Sequence, residues 1–292
     1  MENIMMDLHT HTSFSPDAES SLKEMAQRAQ ELGLRCFAVT DHCDVNFWHP
    51  FSHYFPGKTE GEITDAMMYG SGRYALDSIA AQHELKEKLA LSGSEMKFFA
   101  GVEMGQPLQN EEMALKLAED PRLDFIIGSH HMNMGVDDFY YLDYGRMSAQ
   151  ELNSLMTDCF EQMLEMCRWG RFDVLGHLTY PLRYISGEYG IELSLDPYEE
   201  IIREIFCTLI RNGKGIEINT SGLRQKYGRT FPELRYVKLY KELGGQILTV
   251  GSDAHRTGDL GKGIPEGIEL ARAAGFEYLT CFERHEPFFV KI

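Results

Sequence analysis

No stretch of this 292-residue chain approaches the roughly 20 consecutive apolar residues that a membrane-spanning helix needs. Positive charge is scarce: 28 lysines and arginines stand against 45 aspartates and glutamates, a formal charge of −17. Such an excess repels phosphate backbones and anionic membranes, so neither nucleic acid nor a membrane surface is an expected partner. The opening Met1-Glu2-Asn3 lacks the basic patch of a secretory leader, and no cleaved signal is expected. The six cysteines, at 36, 43, 159, 167, 207 and 281, contain no CxxC pair. Cys36, Cys159 and Cys207 fall on apolar stripes and read as small core residues, which together with the absent leader points to a reducing cytoplasm. No linker, low-complexity tract or internal repeat interrupts the chain, so residues 1–292 are expected to form one domain. The sequence is silent on oligomeric state.

What is present is the balance of a soluble globular protein, 43% hydrophobic and 25% charged. Short apolar runs of strand type recur at 4–8, 35–40, 97–102, 124–128, 172–176, 215–218 and 246–250. Helical patterns lie between them. Ser21-Leu22-Lys23-Glu24 is a capping box, followed by a stripe of Met25, Ala29 and Leu32 that stops at Gly33. Leu152, Leu155, Met156, Cys159, Met163 and Met166 repeat at three and four residues and mark the longest amphipathic helix. Asp196-Pro197 reads as an N-cap with proline in the first turn of a helix running to Gly213. Residues 233–243 and 266–274 supply two more.

Seven strand–helix alternations imply parallel strands with helical crossovers. The polar residues follow the strands at their C-terminal ends and come from six or seven different strands. A closed barrel gathers those ends at one rim, whereas an open sheet spreads them along a line, so a barrel is expected. Two insertions stand out: residues 43–72, with Phe47, Trp48, His49, Phe51, Tyr54 and Phe55, and residues 132–147, with Asp137, Asp138, Phe139, Tyr140, Tyr141 and Asp143. Long loops on a catalytic face usually shape or cover a site.

The strand ends read in order as His9-Thr10-His11 with Asp17 beyond it, Thr40-Asp41-His42, Gly101-Val102-Glu103, Gly128-Ser129-His130-His131, Gly176-His177, then Glu217 and Asn219, and finally Gly251-Ser252-Asp253-Ala254-His255. Seven of the eleven histidines thus sit at strand C-terminal ends, over five strands. Imidazole with carboxylate, and no cysteine among the candidate ligands, suits a catalytic zinc, iron or manganese site. The two rings of His-x-His leave an extended segment on the same side and reach one ion. His9, His11, Asp17, His42, Glu103, one of His130 and His131, His177, Asp253 and His255 make nine candidate ligands. One ion takes three or four, so two or three divalent ions are implied, with Glu103 able to bridge. Multi-metal sites serve hydrolytic displacement at phosphorus. Asp7 and Asp41, beside ligand histidines, read either as acceptors that fix tautomers or as strand-end caps.

This ordered set of motifs resembles the polymerase-and-histidinol-phosphatase (PHP) family over nearly the whole chain. Within it, "HTHTSFSPD", "HLTYPLR" and "INTSGLR" resemble the histidinol-phosphate phosphatase branch. The resemblance implies a distorted (β/α)7 TIM-like barrel carrying three metals. By position it implies His9, His11, Glu103 and Asp253 at the first ion, Glu103, His131 and His177 at the second, and Asp17, His42 and His255 at the third. Some relatives have histidine where Asp17 stands. His130 would then lie behind the ligands or face the substrate, and Glu103, Asp253, His255 and Arg183 would carry the catalysis. Arg183, six residues past His177, and Arg224, after Thr220-Ser221-Gly222, are the cations placed to clamp a phosphate bidentately.

The expected reaction is hydrolysis of a small phosphate monoester, L-histidinol phosphate, within histidine biosynthesis. A hydroxide shared by two metals would attack phosphorus in line while the third metal and Arg183 take the developing charge. The acidic aromatic loop from Asp137 to Asp143 would complement the cationic alcohol. Two rival readings remain at this point. A phosphoesterase for nucleotides or oligonucleotide ends would want a basic track, and a metal-binding regulatory module without turnover would tolerate loss of the bridging glutamate or the arginine.

Overall fold

The structure, a computed structural model, describes residues 6–45, 57, 59 and 70–292. Seven strands, β1 (Met6–Asp7), β2 (Cys36–Asp44), β3 (Lys97–Gly105), β4 (Phe125–Ser129), β5 (Val174–Leu175), β6 (Gly215–Asn219) and β7 (Leu248–Gly251), form one sheet in chain order. Every neighbouring pair is parallel. The sheet curls until its first and last strands meet: Leu8 N–H donates to Val250 O at 3.1 Å, Asp253 N–H to His9 O at 2.7 Å and His11 N–H to Ala254 O at 2.9 Å. This seam nearly closes the expected barrel. It needs Gly251, because a Cβ there would stand 2.2 Å from His9 Cβ.

Helices α1 (Leu22–Glu31), α2 (Gly70–Ser92), α3 (Glu111–Ala118), α4 (Ala149–Trp169), α5 (Glu199–Arg211), α6 (Leu234–Glu242) and α7 (Ile264–Ala273) provide the crossovers. The Ser21 capping box forms as expected, with Ser21 and Glu24 each accepting from the other's backbone N–H. The stripe Leu152, Leu155, Met156, Cys159, Met163 and Met166 is wholly buried along α4. The helix expected from Asp196 departs from expectation: Asp196–Tyr198 is a separate tight turn, and α5 begins at Glu199. Asp196 is drawn outward to Arg235 on α6 and does not cap α5.

Strand β2 also runs past its expected end at residue 40, pairing His42 with Glu103 and Asp44 with Gly105. That extension takes Cys43 and Asp44 out of the first insertion and up to the rim. The aromatic and histidine residues Phe47, Trp48, His49, Phe51, Tyr54 and Phe55 lie outside the described residues. The second insertion splits its aromatics: Phe139 and Tyr144 are fully buried, while Tyr140 and Tyr141 are 65% and 72% exposed. After α7 an antiparallel hairpin, β8 (Tyr278–Glu283) and β9 (Glu286–Lys291), packs below the barrel; the sequence reading did not anticipate it. Among the described residues no helix is long and apolar enough to cross a membrane.

Candidate metal centre

The strand alternation fixes where the polar groups go. Glu103, on β3, is 1% exposed and lies where side chains from five strands converge. Its two oxygens face different partners. Oε2 lies 3.3 Å from His9 Nε2, 3.5 Å from His11 Nε2 and 2.8 Å from His42 Nδ1. Oε1 lies 2.7 Å from His177 Nε2 and 3.2 Å from His131 Nε2, and accepts from Ser129 Oγ at 2.6 Å. Asp253 Oδ1 joins the first group, 3.3 Å from His11 Nε2 and 3.8 Å from His9 Nε2. A third group forms beside it, with Asp17 oxygens 3.6 Å from His42 Nε2 and 3.2 Å from His255 Nε2.

Four of these imidazoles are tied from behind. His9 Nδ1–H donates to Glu217 Oε1 at 2.6 Å, His11 Nδ1–H to Ser15 Oγ at 3.2 Å, His131 Nδ1–H to Asp44 Oδ1 at 2.9 Å and His255 Nδ1–H to Asp253 O at 3.1 Å. Ser15 passes the demand on by donating to Asp41 Oδ1 at 2.8 Å. In these four rings, when neutral, Nε2 is therefore a bare lone pair directed inward. Yet His9 and His11 Nε2 are 3.1 Å apart, His131 and His177 Nε2 3.4 Å, and His42 and His255 Nε2 3.4 Å.

Where two such lone pairs face each other, as between His9 and His11, a cation between them is called for, and the other two pairs have the same spacing. Two ligand nitrogens on one tetrahedral zinc, each 2.0–2.1 Å from it, stand about 3.3 Å apart, the spacing found here. His42 Nδ1 and Glu103 Oε2, although 2.8 Å apart, are misaligned and make no hydrogen bond. Buried polar atoms left in that state are costly unless something else satisfies them. Three overlapping donor groups have the spacing for a metal: His9, His11 and Glu103; His42, Glu103 and His131; and His11, His42 and His255. The residues present fit divalent cations.

The local electrostatics agree. Burial alone would raise the Glu103 carboxyl, but His9, His131 and His42 together hold it well below the usual range. Asp253 is likewise buried, and His11, His9 and Arg183 hold it low. Burial pushes His11 well below the ordinary imidazole value, and His42 and His255 push it further the same way. Burial alone would lower His9, His42 and His131, but the carboxylates around them hold all three well above the ordinary imidazole value, so these rings share protons with the carboxylates that a divalent cation would displace.

Asp253 has φ +56, in the left-handed region that non-glycine residues seldom occupy. Several bonds hold it there. Its own N–H reaches His9 O, while Arg224 donates through Nη1 to Ser252 O at 2.5 Å and through Nη2 to Asp253 O at 2.7 Å. Arg224 thus gives two of its N–H groups to the turn that presents Asp253, a task the sequence reading did not assign to it beside the expected phosphate clamp. Arg183 behaves differently. Its Nη2 meets Asp253 Oδ2 at 3.0 Å and Ser221 Oγ at 2.7 Å, the guanidinium lies 4.8 Å over the Tyr180 ring, and its buried Nε has no partner.

His130 and His131 separate cleanly. The pleat turns His131 into the centre. His130 points away, its Nε2 2.8 Å from Asn133 Oδ1 and its ring near Phe139, so the substrate-facing role expected of it is corrected to a buried structural one. Burial pushes its imidazole down to about 4. Asp7 follows the second of its two readings, strand-end capping: it accepts from Ser252 N–H, Ser252 Oγ and Gly261 N–H. Asp41 reaches the His11 ring through Ser15 and holds the backbone beside it by accepting from Thr12 N–H and Thr12 Oγ1. In the second insertion, Asp143 pairs with Arg146 and Asp138 accepts from Tyr140 N–H, so those two carboxylates already have partners within the loop.

The sequence reading assigned no role to Glu217, Asp44 or Ser15. Glu217 and Asp44 are carboxylates at or beside strand ends, a signal already in view. Which histidine each meets depends on register across the barrel, and that is invisible in one dimension.

A family model described as "PHP domain" matches residues 7–221. A probable histidinol-phosphatase of Thermotoga maritima is 27% identical over 94% of this chain and 95% of its own length. A histidinol-phosphatase of Lactococcus lactis is 26% identical over 95% of this chain and 94% of its own. Among solved structures, the histidinol phosphate phosphatase of Lactococcus lactis, complexed with zinc, L-histidinol and phosphate, superposes with a TM-score of 0.67 at 23% identity, covering 97% of this chain and 98% of that one. A putative histidinol phosphatase from Listeria monocytogenes gives 0.66 at 20% identity, covering 89% and 99%. These superpositions establish the shared barrel.

Proposed function

This chain belongs to the PHP family, and from that premise we propose that it is a metal-dependent phosphomonoesterase whose substrate is L-histidinol phosphate. The observation that carries the reading is the division of Glu103 between two imidazole groups, one oxygen to each. His9, His11, Glu103 and Asp253 would hold one cation, Glu103, His131 and His177 a second, and Asp17, His42 and His255 a third. Zinc, iron or manganese all suit such donors. Bound divalent cations lower the pKa of water toward neutrality and draw charge from phosphoryl oxygens.

The chain's own residues do the rest. Arg183, stacked on Tyr180 and anchored at Ser221, keeps a permanent positive charge beside the rim, where a transferring phosphoryl group develops negative charge. Asp253 and Ser221 fix its orientation in advance, so no rearrangement is needed at the moment of reaction. Tyr180 and Tyr184, hydroxyl to hydroxyl at 2.7 Å, with the Tyr140 ring edge-on to Tyr184, form an apolar wall beside the centre for the organic part of the ester. All six cysteines are free, the state that the expected cytoplasm maintains.

Phosphate release should be compared over histidinol phosphate, AMP and p-nitrophenyl phosphate, in chelator-treated protein and after adding back zinc, manganese or iron. The reading expects turnover of histidinol phosphate far above the other two, abolished by chelation and restored by a metal. Preference for AMP would favour the nucleotide reading, and no release from any ester with any metal would leave a binding module.

A further inference from the structure

Strand β6 supplies none of the candidate ligands, yet it carries Glu217, a carboxylate 1% exposed and aimed into the barrel. Its two oxygens hold two different ligand-bearing segments. Oε1 accepts from His9 Nδ1–H at 2.6 Å, and Oε2 accepts from the backbone N–H of His177 at 3.0 Å. Asn219 Nδ2 adds a longer contact to Oε2 at 3.4 Å. The neighbouring strand β7 leaves room for it: a Cβ on Gly251 would stand 2.7 Å from Oε1. The carboxylate therefore sits on the strand between β5 and β7, in space that Gly251 leaves open.

We infer that Glu217 is the positioning residue of the metal centre, setting the tautomer of His9 and the placement of His177 at once. The inference rests on the metal-centre reading above. Because the proton stays on His9 Nδ1, His9 Nε2 is a lone pair for the cation shared with His11, and the anionic acceptor behind it makes that nitrogen a stronger donor. Because His177 is held through its main chain, its ring is fixed against Glu103 Oε1 without spending a side-chain nitrogen. The two imidazoles serve opposite oxygens of Glu103, so one carboxylate sets the distance between two cation positions. Ser15 Oγ makes a similar pair of contacts, to His11 Nδ1 and to the backbone N–H of His42, but both of those rings lie on the Oε2 side of Glu103, whereas Glu217 joins ligands of its two different oxygens.

Glutamine at this position keeps the shape but not the function. Its single carbonyl oxygen accepts from only one of the two donors, and its amide hydrogens confront the other. Zinc affinity should be measured by competition with a chromogenic chelator on wild type, Glu217→Gln and Glu217→Asp. NMR of the zinc-loaded proteins with 15N-labelled histidine would be recorded alongside. Both variants are expected to bind zinc about 10–100-fold more weakly. The slowly exchanging Nδ1 proton of His9 seen in wild type should shift and exchange faster in Glu217→Gln. Aspartate, which keeps the charge but is one methylene short, serves if the glutamine variant fails to fold. Zinc affinity within twofold of wild type in a folded variant, or an unchanged His9 Nδ1 proton, overturns the inference. Wild type that takes up no zinc contradicts the metal centre itself.

Discussion

At the lower end of the barrel, Asp124 and Asp173 are as deeply buried as Glu103 and Asp253 at the upper rim. Asp124 takes both oxygens to Lys86 Nζ at 2.7 Å and accepts from the N–H groups of Ala100 and Arg284. Asp173 accepts from Ile126 N–H and His285 Nδ1–H, each at 2.8 Å, with Lys214 Nζ 3.5 Å away. Beside them opens a cleft of about 490 Å³, lined by Arg168, Trp169, Lys214 and His285 among others. At the upper rim, by contrast, a glutamate oxygen and an imidazole nitrogen are buried without a hydrogen bond, and Nε2 atoms face one another in pairs. The difference is one of satisfaction. The lower carboxylates find their donors within the chain and so fasten strands together. The upper groups converge without enough donors and so await something that is not protein. A hollow is a poor guide here; unsatisfied convergence is the better one.

Substitution at each end tests this contrast. Glu103→Gln should remove the bridge and cost several kcal/mol of transition-state stabilisation, on the order of 10³-fold in the rate of phosphate release, with the circular dichroism of a folded barrel retained. Retention of half the wild-type rate would break the contrast at its upper end. Asp124→Ala leaves Lys86 and two backbone N–H groups without their acceptor and should cost about 3 kcal/mol in urea unfolding, while turnover per folded molecule stays within twofold. A variant of normal stability but poor turnover would reverse the assignment of the two ends.

The smallest effect concerns His130, which lies near the rim yet is satisfied like the lower groups. Its folded pKa of about 4 lies below the ordinary value of 6.5. Between those values the unfolded chain binds a proton that the folded chain refuses, so stability is lost as pH falls through this window. The loss between pH 7 and pH 5 should be about 2 kcal/mol. Urea unfolding of the chelated protein at both pH values, with His130→Gln as reference, measures it; equal slopes would mean that His130 is not buried neutral.

Much of this was legible in one dimension because parallel (β/α) architecture converts position after a strand into position on a rim. The histidines after β1, β2, β4, β5 and β7 therefore announced the site before any coordinates. What stayed hidden depended on register. That His42 stands opposite Glu103 needed the extension of β2, and that Glu217 meets His9 needed β6, β7 and β1 to be neighbours at one level. The backbone contacts of Arg224 were hidden for a related reason: an arginine after a strand serves a phosphate or a backbone turn equally well by sequence. The β8–β9 hairpin was missed because its turn residues are Arg284 and His285, at φ +52 and +65, where asparagine and glycine are usual. Tertiary bonds explain the exception, since Arg284 N–H, His285 N–H and the His285 ring all dock on Asp124 and Asp173.

The seam between β1 and β7 has a consequence for how the protein is made. The ribosome delivers His9 and His11 well before Asp253 and His255, by a delay on the order of tens of seconds at roughly 5–20 residues per second. Throughout that interval the first imidazoles are exposed without the segment that completes their shell. A nascent chain released or cut before residue 255 emerges keeps the β1 pair but lacks Asp253 and His255. In this architecture the candidate metal centre cannot be completed until β7 and residue 255 have been made.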